Sequence, residues 1–160
     1  MQDIEARPQT PGTGLPRRLR LDHPHRHGIL LGHHREYTVL ADWFHTVTPG
    51  HATRLIRVAR ILAGNAHHHS RSGLPGGTVR IVLDRTRPLL PHLYVTDDGP
   101  LQEDSIAYPR LEKRAPGSGL ALVERLSVYW DFSWDWDGAR IRATTVQVVF
   151  DLTALGMAPG

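Results

Sequence analysis

Cysteine is absent from this 160-residue chain, which excludes disulfides and thiolate metal sites. Long apolar runs are absent as well, since none approaches the roughly 20 residues that span a bilayer. The opening residues, MQDIEARPQTPGTG, hold no apolar h-region, so nothing there suggests secretion. Acidic surplus is also lacking. The net charge is +3 and the sequence pI about 9.8, which raises nucleic-acid binding as a question. A continuous basic face is missing too, because outside Arg17, Arg18 and Arg20 the basic residues are scattered among acidic ones. These absences lead us to expect a cytoplasmic protein with no nucleic-acid and no membrane partner.

What is present fits one globular domain. Apolar residues make up 40% and charged residues 22% of the chain, enough for a core. Twelve prolines and fifteen glycines concentrate near the N-terminus, around residues 73 to 77, and near the C-terminus. Residues 1–28 lack sustained periodicity and read as a flexible leader. A folded domain is expected over 29–155, with a flexible tail over 156–160.

Residues 54–70, RLIRVARILAGNAHHHS, carry the strongest pattern. Leu55, Val58, Ala59, Leu62 and Ala66 recur at spacings of three and four, one stripe of a helix. Thr48-Pro49 is its upstream start signal. A shorter helix is expected around His34 to Thr46, with Val39, Leu40, Trp43 and Phe44 as its apolar stripe. After the Gly/Pro-rich loop at 72–77, Thr78 to Asp84 alternates as a half-buried strand. Leu90 to Thr96 forms a second strand, joined to the first as a hairpin, and ends in Asp97-Asp98-Gly99-Pro100. Residues 101–116 have no period, which in a compact domain marks a functional loop. Gly117-Ser118-Gly119 opens a helix with Leu122, Val123 and Leu126 inward. Val128 to Trp136 and Ala139 to Asp151 are strands joined at Asp137-Gly138, a two-residue hairpin signal. The expected class is α+β, a two-layer α/β sandwich with helices on one face of a mixed sheet.

Three polar features follow in a suggestive order. Asn65 lies late on the main helix, Asp97 ends a strand before a glycine turn, and Gly117 and Gly119 open a helix. An asparagine amide oxygen suits Mg²⁺, which keeps waters and bridges to phosphates. A carboxylate at a strand end can accept a hydrogen bond from an exocyclic amine such as that of adenine. Glycines at a helix N-terminus let backbone N–H groups approach phosphate.

The segments ILAGNAHHHS (61–70), YVTDDGP (94–100) and GSGLALVERL (117–126) resemble the N box, the aspartate-glycine box and the second glycine box of anti-sigma-factor serine kinases, in particular their actinobacterial branch. The stretch SRSGLPGGTVRI (70–81), which links the first box to its strand, also looks typical, and the resemblance covers roughly 36–150. It implies the ATP-binding (Bergerat) fold shared with histidine kinases, gyrase, Hsp90 and MutL. It further implies ATP and Mg as cofactors. Asn65 would be the Mg²⁺ ligand, Asp97 the partner of the adenine amino group, and Gly99 the residue that lets the ring approach. Gly117, Gly119 and Leu120 would lie on the phosphate side, with residues 101–116 as a lid containing Arg110. A sigma factor or an anti-sigma antagonist protein would be the partner, and such proteins also pair as homodimers.

Two departures from the family pattern bear on function. The general base of the N box, a glutamate four residues before the asparagine, is replaced here by Ile61. Loss of a general base lowers rate by about 10²- to 10⁴-fold. Leu101 replaces a second glycine after the aspartate-glycine box. The expectation is therefore an ATP-binding regulator that phosphorylates an antagonist. The alternative is a weak or inactive nucleotide-dependent interaction module, or a degenerate fold with an empty pocket.

Two further groups of residues need a reading. His67, His68 and His69 are adjacent on a helix, where successive side chains point about 100° apart and cannot converge on one ion. Trp130, Trp134 and Trp136 share a strand face by their even spacing and are expected in core or interface packing.

Overall fold

In the computed structural model, residues 14–102 and 119–153 are described. The chain runs through β1 (Arg17–Leu19), β2 (Arg26–Leu31), α1 (Thr38–Val47) and α2 (Ala52–His69), then a 3₁₀ turn at Arg71–Gly73. It continues through β3 (Val79–Asp84), β4 (His92–Asp97), α3 (Gly119–Leu126), β5 (Tyr129–Asp137) and β6 (Arg140–Val149). The fold is α+β, with the three helices set against a six-stranded sheet of order β1-β2-β3-β4-β6-β5.

Every neighbouring pair in that sheet is antiparallel. The expected mixed sheet is therefore corrected to an antiparallel one among the described residues. The reason lies in the connections: β3–β4 and β5–β6 are direct hairpins, whereas a parallel neighbour needs a long crossover.

The reading of 1–28 as a leader also changes. Residues 17–19 form β1 and residues 26–31 form β2, which pairs with β3 along its whole length from Arg26↔Asp84 to Leu31↔Val79. Ile29 and Leu31 are buried while Leu30 between them faces the other way, so only two apolar positions mark this strand as core.

Alternation aligns the core rows. Ile29, Ile81, Val95, Val146 and Phe132 sit opposite one another across five strands, and Leu83, Leu93, Val148 and Trp130 form the next row. Against this face lies the α2 stripe, where Leu55, Val58, Ala59, Leu62 and Ala66 are all buried as the periodicity requires. Burying each large apolar side chain of this kind contributes about 1.5–3 kcal/mol. Leu40, Trp43 and Phe44 of α1 join the same core, with the two rings edge to face at 4.7 Å. Gly50, at φ +87°, makes the reversal between α1 and α2 in a conformation that side-chain-bearing residues avoid.

Two details of packing differ from expectation. On α3 the buried residues are Leu120 and Val123, with Leu120 taking the place expected of Leu122. On β5, Trp130 packs against the core, but a register shift after Asp135 leaves Trp136 52% exposed. None of the described helices is long and apolar enough to cross a membrane.

Candidate functional site

Strand alternation puts Leu93, Val95 and Asp97 on the helix-facing side of β4, so a carboxylate ends an otherwise apolar row. Asp97 is 4% exposed and lies opposite Thr144 of β6. Its Oδ1 accepts hydrogen bonds from the backbone N–H groups of Gly99, at 2.7 Å, and Thr144, at 3.1 Å. Its Oδ2 accepts none from a described residue, leaving one acceptor uncommitted. Burial pushes the carboxyl up to about 6, assisted by neighbouring Asp98 and opposed by the two N–H donors and Arg71. At neutral pH it is therefore ionised and able only to accept.

The turn that follows is held by the chain end of α2. Ser72 Oγ accepts from the Asp98 backbone N–H at 2.9 Å, and Asp98 Oδ2 accepts from the Thr78 N–H at 2.7 Å. Arg71 reaches across with Nε donating to the Asp98 carbonyl and Nη2 to the Ile141 carbonyl, both at 2.9 Å. Its backbone N–H donates to the Gly99 carbonyl at 2.9 Å, and Ser70 forms a bridge with Pro100. Ser70 Oγ in turn donates to the Ala66 carbonyl on α2. The segment Ser70-Arg71-Ser72 thus fastens the last turn of α2 to the Asp97-Asp98-Gly99 turn. The sequence places Ser70 at the end of the N-box-like segment and Arg71 and Ser72 in the stretch that links it to β3, with no holding role for any of them. The available signal was a hydroxyl–arginine–hydroxyl run placed directly after a helix, where loose carbonyls need donors.

Gly99 has φ +86°, and a β-carbon there would lie 2.6 Å from the Ile141 carbonyl oxygen and 2.7 Å from Arg71 Nη2. The residue is glycine because of the protein's own backbone. Its link to the site runs through the N–H that it gives to Asp97.

Asn65 lies on α2 one turn beyond Ile61, half-buried, and its amide makes no hydrogen bond with a described residue. Ile61 touches the start of α3: a β-carbon on Gly119 would lie 2.8 Å from Ile61 Cγ2. The fold thus joins two pairs of expected site elements. Asp97 is fastened to the end of α2 just past Asn65, and Gly119 lies against α2 one turn before it. Leu120 is 7% exposed and belongs to the core cluster, so its side chain faces the core. Arg110, Gly117 and most of the 101–116 loop lie outside the described residues.

One polar core residue was not foreseen. His67 is 3% exposed, with Nε2 2.8 Å from the Gly32 carbonyl and Nδ1 2.7 Å from the Tyr37 hydroxyl. A carbonyl can only accept, so Nε2 carries the proton and Nδ1 accepts from Tyr37. Burial holds the imidazole below its ordinary value, with Arg35 and His33 acting the same way against the Gly32 bond. His67 therefore ties α2 to the loop after β2. Among the described residues no group of three or more His, Asp or Glu side chains could hold a metal ion.

A comparison with protein-family models and one with curated proteins find no match to this chain.

Proposed function

We propose that this protein is an ATP-binding regulatory protein of the anti-sigma-factor serine kinase type, built on the histidine kinase-like (Bergerat) fold and working in the cytoplasm. The observation that carries this reading is Asp97. Its carboxylate is buried, oriented by two backbone donors on Oδ1, and left with an acceptor on Oδ2 that no described residue uses. Such a group suits a ligand amine like that of adenine, because an uncommitted carboxylate oxygen accepts a hydrogen bond from an exocyclic amine. Asn65, whose amide has no partner among the described residues, suits a cation that takes one protein oxygen and completes its shell with phosphate and water.

In this reading Asp97 selects the base and Asn65 orients the metal. The Ser70-Arg71-Ser72 latch holds the two at fixed separation, and Gly117 and Gly119 present backbone donors to the phosphates. ATP–Mg²⁺ supplies the transferable phosphoryl group and the cation that neutralises charge developing on it. The proposed partners are a sigma factor or an anti-sigma antagonist, with self-pairing as a further possibility within this type.

Calorimetric titration with ATP in the presence and absence of Mg²⁺ tests the proposal. Saturable binding that Mg²⁺ strengthens, with that strengthening lost in Asn65→Ala, supports it. A flat titration in both conditions overturns it.

A second reading rests on Ile61, which has no atom able to take a proton. The protein then binds nucleotide to set its affinity for a partner and does not transfer phosphate. Incorporation of labelled phosphate into a serine of an antagonist excludes this second reading, and a nucleotide-dependent partner affinity without incorporation excludes the first.

A further inference from the structure

A second polar site lies at the other end of the sheet. Asp97 is level with Val79 at one end of β3, while a cavity of about 430 Å³ opens beside the Arg26↔Asp84 pair at the other. The length of β3 separates them, about 16 Å at strand rise. The cavity is lined by the guanidinium-bearing Arg18, Arg26 and Arg85, by His27, and by Trp43 and Val47 on an apolar side. None of the described residues that line it is acidic.

The arginines are poorly satisfied by the protein itself. Arg85 Nη1 donates to the Val47 carbonyl at 2.5 Å, but its Nε is buried with no acceptor among the described residues. Among the described residues Arg26 has one loose ion pair, 3.8 Å to Asp84, and its side chain stays 45% exposed. The Arg18 side chain makes no ion pair or hydrogen bond with a described residue. A buried donor without an acceptor is costly, and charge-assisted bonds to an anion recover that cost. Several guanidinium groups lining one space suit the tetrahedral oxygens of phosphate, whereas a carboxylate is satisfied by one fork.

We propose that this cavity binds the phosphate group of a small organic phosphate, with the organic part lying against Trp43 and Val47. The cavity shares no residue with Asn65, Asp97 or Gly119, so this site stands or falls independently of the nucleotide reading.

Calorimetric titration of the full chain with phenyl phosphate tests it, alongside inorganic phosphate and benzoate. Phenyl phosphate should bind saturably with Kd at or below about 1 mM at low salt, where screening of the arginines is weak. It should bind at least about threefold more tightly than inorganic phosphate, the difference coming from contact with Trp43. Benzoate should bind more weakly than phenyl phosphate. Arg85→Gln would also cut the Val47 contact, so the exposed positions carry the test: Arg18→Gln and Arg26→Gln should each weaken binding about tenfold. Asp97→Asn should leave the affinity unchanged, which separates this cavity from the nucleotide site. No saturable binding, an affinity unmoved by both arginine variants, or loss of binding in Asp97→Asn overturns the proposal. Equal affinities for phenyl and inorganic phosphate overturn the role given to Trp43.

Discussion

The Cγ2 methyl of Ile61 occupies the place next to Gly119 where a side chain would begin, 2.8 Å from the position of a β-carbon. The contact seats the first residue of α3 on α2, at the turn before Asn65. A β-branched side chain cannot move Cγ2 away cheaply, because its χ1 is restricted in a helix. Gly119→Ala should therefore cost about 1–3 kcal/mol through overpacking. Ile61→Leu removes the branch at Cβ and should recover part of that loss in the double variant. Urea unfolding of the four proteins measures the coupling; additive effects would show that the two residues do not meet.

The same position limits turnover. Ile61→Glu places a carboxylate one turn before Asn65, where the resemblance puts the general base. It should raise ATP turnover by about 10²-fold or more while changing nucleotide affinity little. Steady-state hydrolysis with purified protein measures this, and an unchanged rate would mean that more than the base is missing.

Asp97 should oppose stability and binding to each other. Its carboxyl titrates at about 6 in the fold against an ordinary 3.8, so the folded state favours the protonated form. Stability from this group therefore rises as pH falls through 6 and is fully gained below 3.8, by about 3 kcal/mol. Asp97→Asn should match or exceed the parent in stability at neutral pH, and its stability should lose this rise toward acid. Nucleotide affinity should move the other way, weakening as pH drops through 6, because a protonated carboxyl loses acceptor capacity. Denaturation midpoints and ATP titrations across that range check both signs.

His67 works in the reverse sense. Burial keeps its imidazole neutral, so its contribution is present above the ordinary value of 6.5 and is lost as pH falls through the lower folded value. Tyr37→Phe removes the donor to Nδ1 and should cost about 1–3 kcal/mol at neutral pH. An NMR titration of the imidazole should place His67 below 6.5; a value at or above that, or an unchanged stability in Tyr37→Phe, would contradict the hydrogen-bonded arrangement.

Local patterns were legible in the sequence and long-range pairings were not. The α2 stripe and the alternation of β3 are periodicities of a single segment, so the burial of Leu62 and Ile81 follows from spacing alone. β2 escaped notice because only Ile29 and Leu31 mark its buried face and its partner β3 lies some fifty residues later. Arg71 looked like a loop arginine, since its acceptors at Asp98 and Ile141 are distant in the chain. His67 was read with His68 and His69 as a run, although its burial depends on Tyr37 and Gly32. Even spacing placed Trp136 with Trp130, and a bulge that no periodicity announces then exposed it. Of the expected site residues, Asn65, Asp97, Gly99, Gly119 and Leu120 have a described place, whereas Arg110 and Gly117 do not.

Titration of a fluorescent ATP analogue with Mg²⁺ into the parent and Asp97→Asn, each confirmed folded by circular dichroism, tests the nucleotide site most directly. Saturable binding by the parent, weakened at least about tenfold in the stably folded variant, is the expected result. Equal binding by the two proteins, or no binding by the parent, would contradict Asp97 as the residue that receives the base.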